Sequence, residues 1–193
     1  MRPKSFDTAS RRADFLNDEA INSERRAYEL ECFADFYDEW DAASDLKSQD
    51  ARDKAEKARR YADIAISRAK PSQKQITETR RTFLDNWLDG NRQRILEHTE
   101  RISIKEEAGL EEYDEPPITE DIVQPDGKTF SKAVTIKEHR DLIEMFEAAV
   151  KVAERKFGEL PEPKRVKADP KVRKLRPEEN GAKEDEKVEA EKG

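Results

Sequence analysis

Two histidines, one cysteine, an acidic run and a basic block are the places where this sequence could do chemistry. His98 and His139 stand far apart in the chain, and neither neighbours a Ser or Cys nucleophile motif. His139-Arg140-Asp141 matches the triplet of a kinase catalytic loop. No Gly-rich loop, strand lysine or Asp-Phe-Gly accompanies it, so the match reads as chance. His98 has no second ligand four residues on and reads as a helix-surface side chain rather than a metal ligand. Cys32 sits beside an aromatic seam and reads as a buried small hydrophobe. As the single cysteine it excludes an intrachain disulfide and a multi-cysteine zinc site. Gly127 and Gly158 do not form a phosphate-binding loop. No acid–base or metal constellation emerges, so the expectation is a protein without catalysis and without a cofactor.

Charge is the remaining signal. Glu106 to Asp121 holds no basic residue and contains Pro116-Pro117. It lacks the Asp/Asn alternation and central Gly of a calcium loop, and so reads as a solvated loop. Lys164, Arg165, Lys167, Lys171, Arg173, Lys174 and Arg176 form a block with one acid, a local charge of +6. Such a block can neutralise several phosphates without reading sequence, so these seven are candidate nucleic-acid contacts. Arg11-Arg12, Arg25-Arg26, Arg59-Arg60 and Arg80-Arg81 could add to it, or pair with nearby acids.

The elements that position these groups are mainly helical. Of the 193 residues, 43% are charged and 34% hydrophobic, yet the net charge is only -7. A dense, nearly balanced charge with many alanines fits long solvated helices. No run of about 18 apolar residues exists to span a membrane, and the start of the chain lacks a signal-peptide core, so the expected location is the cytoplasm. A pI near 5.2 argues against a whole surface built for nucleic acid.

From Pro3 to Pro71 there is neither proline nor glycine, which permits very long helices. A short helix is expected over about Thr8 to Ile21, with Ser23 capping the next. Leu30, Phe33, Tyr37 and Trp40 then follow coiled-coil spacing, and small alanines continue the seam to Ala69. A polar break at Ser44 to Asp50 leaves two readings open, one long helix or a helical hairpin. In the hairpin the alanines would face the aromatics. After Pro71-Ser72, Ile76, Phe83, Leu84, Trp87, Leu88, Ile95 and Ile102 mark an amphipathic pattern that fades at Ala108-Gly109, with Gly90-Asn91 either ending one helix and restarting another or tolerated inside one. Ile118–Gln124 and Lys128–Val134 flank Pro125-Asp126-Gly127, which predicts a small β-hairpin. Thr135 and Glu138 form a capping box for a last helix, with Gly158 where a C-terminal cap belongs.

The fold class is thus mainly α: an elongated helical hairpin or coiled-coil-like bundle, one β-hairpin, and a disordered charged tail. The expected divisions are a helical region 1–70, a segment 71–158 with acidic loop, hairpin and last helix, and a tail 159–193. Leu30, Phe33, Tyr37, Trp40, Phe83, Trp87 and Leu88 are the candidate residues of an oligomer or partner interface. A few such aromatics, each worth about 1.5–3 kcal/mol on burial, suffice to hold an oligomer.

The order of elements resembles that of phage small terminase subunits, the recognition proteins of DNA packaging. The resemblance is carried by "RRTFLDNWLDGNRQRILEHTERI", by "PPITEDIVQPDGKTFSKAVTIKEHRDLIEMFEAAVKVAERKFGEL" and by the tail from Pro161, roughly Arg80 to Pro177. It implies a non-enzymatic, ring-forming protein that binds packaging-initiation DNA and a large packaging ATPase or portal-type protein in the host cytoplasm. Such proteins usually begin with a helix-turn-helix, and Arg2 to Trp40 carries no such pattern. Two expectations follow. One is a homo-oligomeric helical adaptor in packaging or virion assembly, and the other a nucleic-acid-binding accessory protein acting through the basic block.

Overall fold

A computed structural model describes residues 5–40 and 45–161. Four helices and one hairpin follow in the order α1 (Ser5–Trp40), α2 (Asp45–Ala69), α3 (Gln73–Glu107), β1 (Glu120–Val123), β2 (Thr129–Lys132) and α4 (Ile136–Glu159). The chain is mainly helical with one small antiparallel hairpin, as its patterning predicts. The basic-block residues Lys164, Arg165, Lys167, Lys171, Arg173, Lys174 and Arg176 lie outside the described residues.

The break before Ser23 does not form. α1 runs through it without interruption, because one face stays buried on both sides of it at Ala20, Glu24, Ala27 and Ala34. A serine that packs within a continuous helix has no free amide to cap. The polar break further on is a hairpin. Asp38 accepts from Ser48 and pairs with Arg52, and Arg59 reaches back to Glu31 at 2.6 Å, so α1 and α2 run antiparallel.

Ala51 of α2 lines one cleft with Leu30, Phe33, Tyr37 and Trp40 of α1. Ala20, Ala27 and Ala34 recur every seventh residue on α1 and are buried, as are Ala51, Ala55 and Ala62 on α2. Small buried side chains on both helices let α1 and α2 lie close. That frees the aromatic face of α1 to pack on α3 and α4. There Tyr28, Cys32, Phe33 and Phe36 meet Leu84, Trp87, Met145, Phe146, Ala149, Val152 and Ala153 in one core. The segments on either side of Pro71 therefore share a single core. Phe33 lies edge-on to Trp87 at 5.8 Å, and Phe83 stacks on Trp87 at 5.8 Å.

Local chemistry sets the ends. α2 closes on Lys70, held left-handed at φ 53° before Pro71. Ser72 and Gln75 form a capping box that starts α3. Gly109, at φ 79°, ends α3: its N–H meets Glu106 O at 3.0 Å, and the Leu110 N–H meets Lys105 O at 3.1 Å. That pair of bonds is a Schellman cap. The three-residue turn Pro125–Gly127 closes the hairpin, with Gly127 at φ 82° and Ile122 opposite Phe130. Thr135 caps α4 in the predicted box. Gly158 is not the cap: α4 runs on through Glu159 to Leu160, because Gly158 keeps a negative φ and simply continues the helix.

Gly90 lies inside α3 with nothing within 4 Å of where a side chain would stand. Gly90→Ala should therefore raise stability by about 0.5–1 kcal/mol. The check is a higher urea midpoint with an unchanged slope.

Candidate functional site

The seven seam residues are brought together, but inside one chain. Phe33 and Trp87 are buried in the core, and Leu30, Tyr37, Trp40, Phe83 and Leu88 pack half-buried against it. The hairpin turn latches onto this cluster. Trp87 Nε1 donates to Pro125 O at 2.9 Å, and the Tyr37 hydroxyl donates to Asp126 Oδ2 at 2.7 Å. Lys128 closes the clasp at 2.5 Å from Asp126. Burial alone would raise the Asp126 carboxyl, but hydrogen bonds from Lys128 and Tyr37 outweigh it and hold the group below its ordinary value. Sequence spacing marks the turn and the aromatics separately; only the packing joins them.

Four of the eight paired arginines on the helices are spent on acids. Arg59 and Arg80 both grip Glu24, Arg60 pairs with Glu56, and Arg26 pairs with Glu29. Of the two readings of these pairs, internal neutralisation holds for these four.

The two histidines meet, contrary to the reading that keeps them apart and puts His98 on the surface. His98 is only 4% exposed and His139 fully buried, with their Nδ1 atoms 2.9 Å apart. The reason is the hand of α3. Steps of seven from Leu84 land on Asn91, His98 and Lys105, and all four are buried. The inward face thus continues past the last large apolar residues with polar ones. The expected apolar positions Ile95 and Ile102 drift to its edge.

Lys105 is the hub of this cluster. Its ammonium donates to Glu120 Oε1 at 2.5 Å, to Val134 O at 2.6 Å and to His139 Nε2 at 2.7 Å. Arg101 meets the other Glu120 oxygen at 2.7 Å. An ammonium only donates, so His139 Nε2 accepts. The proton of His139 then sits on Nδ1 and is given to His98 Nδ1, which leaves the His98 proton on Nε2. Burial and the charge of Lys105 push His139 below its ordinary value. Burial, then His139 and Arg101, push His98 down to about 4. The pair is therefore neutral at pH 7. Burial opposes ionisation of Glu120, but the Lys105 hydrogen bond and the neighbouring cations hold it ionised. Among the described residues every buried side-chain nitrogen or oxygen has a partner.

On the far wall of Lys105 and Glu120 lies an apolar cleft of about 400 Å³. Ile104, Ala108, Leu110, Pro116, Pro117 and Ile118 line it, with Ile104 57% and Ile118 71% exposed. Arg101, Lys105 and Glu120 complete its lining, and other carboxylates of the acidic run flank it in sequence: Glu107 precedes Ala108, Glu111 follows Leu110 and Glu115 precedes Pro116. The isolated Ile118 between Pro117 and Thr119 was the available sequence signal. Cys32, also buried, has its thiol pushed up to about 12 by burial, in line with a small hydrophobe.

No family model, curated protein or solved structure matches this chain.

Proposed function

We propose that this chain is a non-enzymatic, self-associating helical adaptor. Its proposed setting is DNA packaging or virion assembly, the role implied by the layout it shares with small terminase subunits. A large packaging ATPase, a portal-type protein and DNA are the proposed partners. The observation that carries the reading is the apolar surface left over once the seams have closed on each other. Leu96, Ile104, Tyr113 and Ile118, from α3 and the loop after it, are each more than half exposed. Ile104 and Ile118 share one open cleft, and an exposed apolar cleft on a densely charged surface supports a contact for another chain.

Light scattering tests the proposal. At tens of micromolar the particle should weigh several times 22.4 kDa. A mass of one chain at that concentration overturns it.

A further inference from the structure

We infer that the acid-flanked cleft at the C-terminal end of α3 receives the Lys164–Arg176 segment of a second copy of this chain. The contact rests on the self-association proposed above and names the surfaces that make it.

Charge complementarity argues for the occupant. Between Glu106 and Asp121 there are eight carboxylates. Arg101 and Lys105 are taken by Glu120, and Arg140 by Glu106 and Glu112. Glu107, Glu111, Asp114, Glu115 and Asp121 are exposed and form no ion pair among the described residues. The cleft these carboxylates flank in sequence is apolar and open at Ile104 and Ile118, and the charged groups in its lining, Arg101, Lys105 and Glu120, are paired with one another. The occupant must therefore carry several cations with apolar side chains between them. Lys164 to Arg176 carries seven cations and one acid, interleaved with Val166, Val172 and Leu175. Past Arg176 the charge turns acidic, with Glu178 and Glu179 next, so the matching segment is bounded.

Reach argues for a second copy. The Arg81 guanidinium donates to Pro161 O at 3.2 Å, which places the end of α4 beside the start of α3. Ile104 lies 23 residues further along α3, roughly 35 Å at the rise of an α-helix. An extended chain spans at most about 3.5 Å per residue, so Lys164 and Arg165 travel no more than roughly 14 Å from Pro161. Lys164 and Arg165 cannot arrive at their own cleft while Lys171 to Arg176 just reach it, so a single chain cannot seat the whole block there. A neighbouring chain sets no such limit.

The test measures self-association by light scattering and sedimentation at low and high salt, using full chains. Three variants are compared with the unaltered chain. One reverses the flank, Glu107→Lys, Glu111→Lys and Glu115→Lys. One charges the floor, Ile118→Asp. One reverses the segment, Lys171→Glu, Arg173→Glu and Lys174→Glu. The altered flank and floor side chains are exposed, so these variants fold. Asp114 is left alone because its carboxylate accepts from the Glu111 amide. Each variant should weaken association roughly tenfold, the sum of a few exposed charge contacts or one lost apolar anchor. Salt should weaken the unaltered chain in the same direction. Mixing the flank-reversed and segment-reversed chains should restore association, because the charges again oppose across two molecules. Unchanged association in the flank and floor variants overturns the contact and leaves self-association standing. So does a loss confined to the segment variant, which would mean the segment docks elsewhere. A monomeric unaltered chain overturns both the contact and the adaptor reading.

Discussion

Replacing Lys105 with methionine should lower stability by about 3–4 kcal/mol, the cost of stripping the buried cation from a hydrogen-bonded cluster. Three acceptors lose their donor at once: Glu120, the buried Val134 carbonyl and His139 Nε2. Arg101 keeps one oxygen of Glu120 but stands on the solvent side and does not reach Val134 or His139. The pH dependence should change as well. In the unaltered chain His98 titrates at about 4 in the fold against an ordinary 6.5. A histidine depressed in this way contributes its full stability above the unfolded value and loses it as pH falls through the window towards 4. At pH 5 the loss should be about 2 kcal/mol relative to pH 7. Carboxylates held low in the fold, Glu120 and Asp126 among them, add to the loss only at more acidic pH. In Lys105→Met the cation that depresses His139 is gone, while Glu120 remains 3.5 Å from Nε2 and favours its protonation. The loss between pH 7 and pH 5 should shrink. Urea midpoints across that range read both effects, and an unchanged pH slope in the variant would sink this account of the pair.

Glu24→Ala should cost about 2–3 kcal/mol, at the lower end for breaking a buried pair because the stranded guanidinium groups are partly exposed. Glu24 is fully buried on α1, and it holds Arg59 of α2 at 2.5 Å and Arg80 of α3 at 2.6 Å. It is therefore a junction of three helices rather than a surface pair. Arg80 also lies over the Tyr28 ring at 5.0 Å, and Arg59 keeps Glu31, so both cations retain a second partner after the change. A double-mutant cycle with Arg80→Ala should return a coupling energy of about 1–3 kcal/mol. A value near zero would show that the two arginines are held by their other partners alone.

Much of the fold can be read along the chain, because those features are local. Thr135 with Glu138 marks the start of α4, and Pro125-Asp126-Gly127 the hairpin turn. Ala108-Gly109 marks the end of α3, as the backbone of each position requires. The absence of proline and glycine before Pro71 predicts long helices. It does not tell whether Ser23 interrupts them, because capping competes with burial, and burial of Ala20, Glu24 and Ala27 wins there. Gly158 misleads for a related reason: a glycine ends a helix only where its φ is positive.

The site was less legible. Spacing alone groups Leu30, Phe33, Tyr37 and Trp40 as a seam but leaves open which surface covers it; α3 and α4 of the same chain do. His98 and His139 carry no motif in sequence. They meet because α3 and α4 run antiparallel and because the seven-residue step from Leu84 turns polar at Asn91, His98 and Lys105. By itself the sequence determined the helical content, the hairpin turn, the caps and the opposed blocks of charge, since these follow from backbone preference and composition. Only the tertiary structure decided what covers the aromatic seam, where Glu24 finds its arginines and how Lys105 joins Glu120 to two histidines. Those partners lie tens of residues apart, and their pairing energy exists only once the helices have packed and water has left between them.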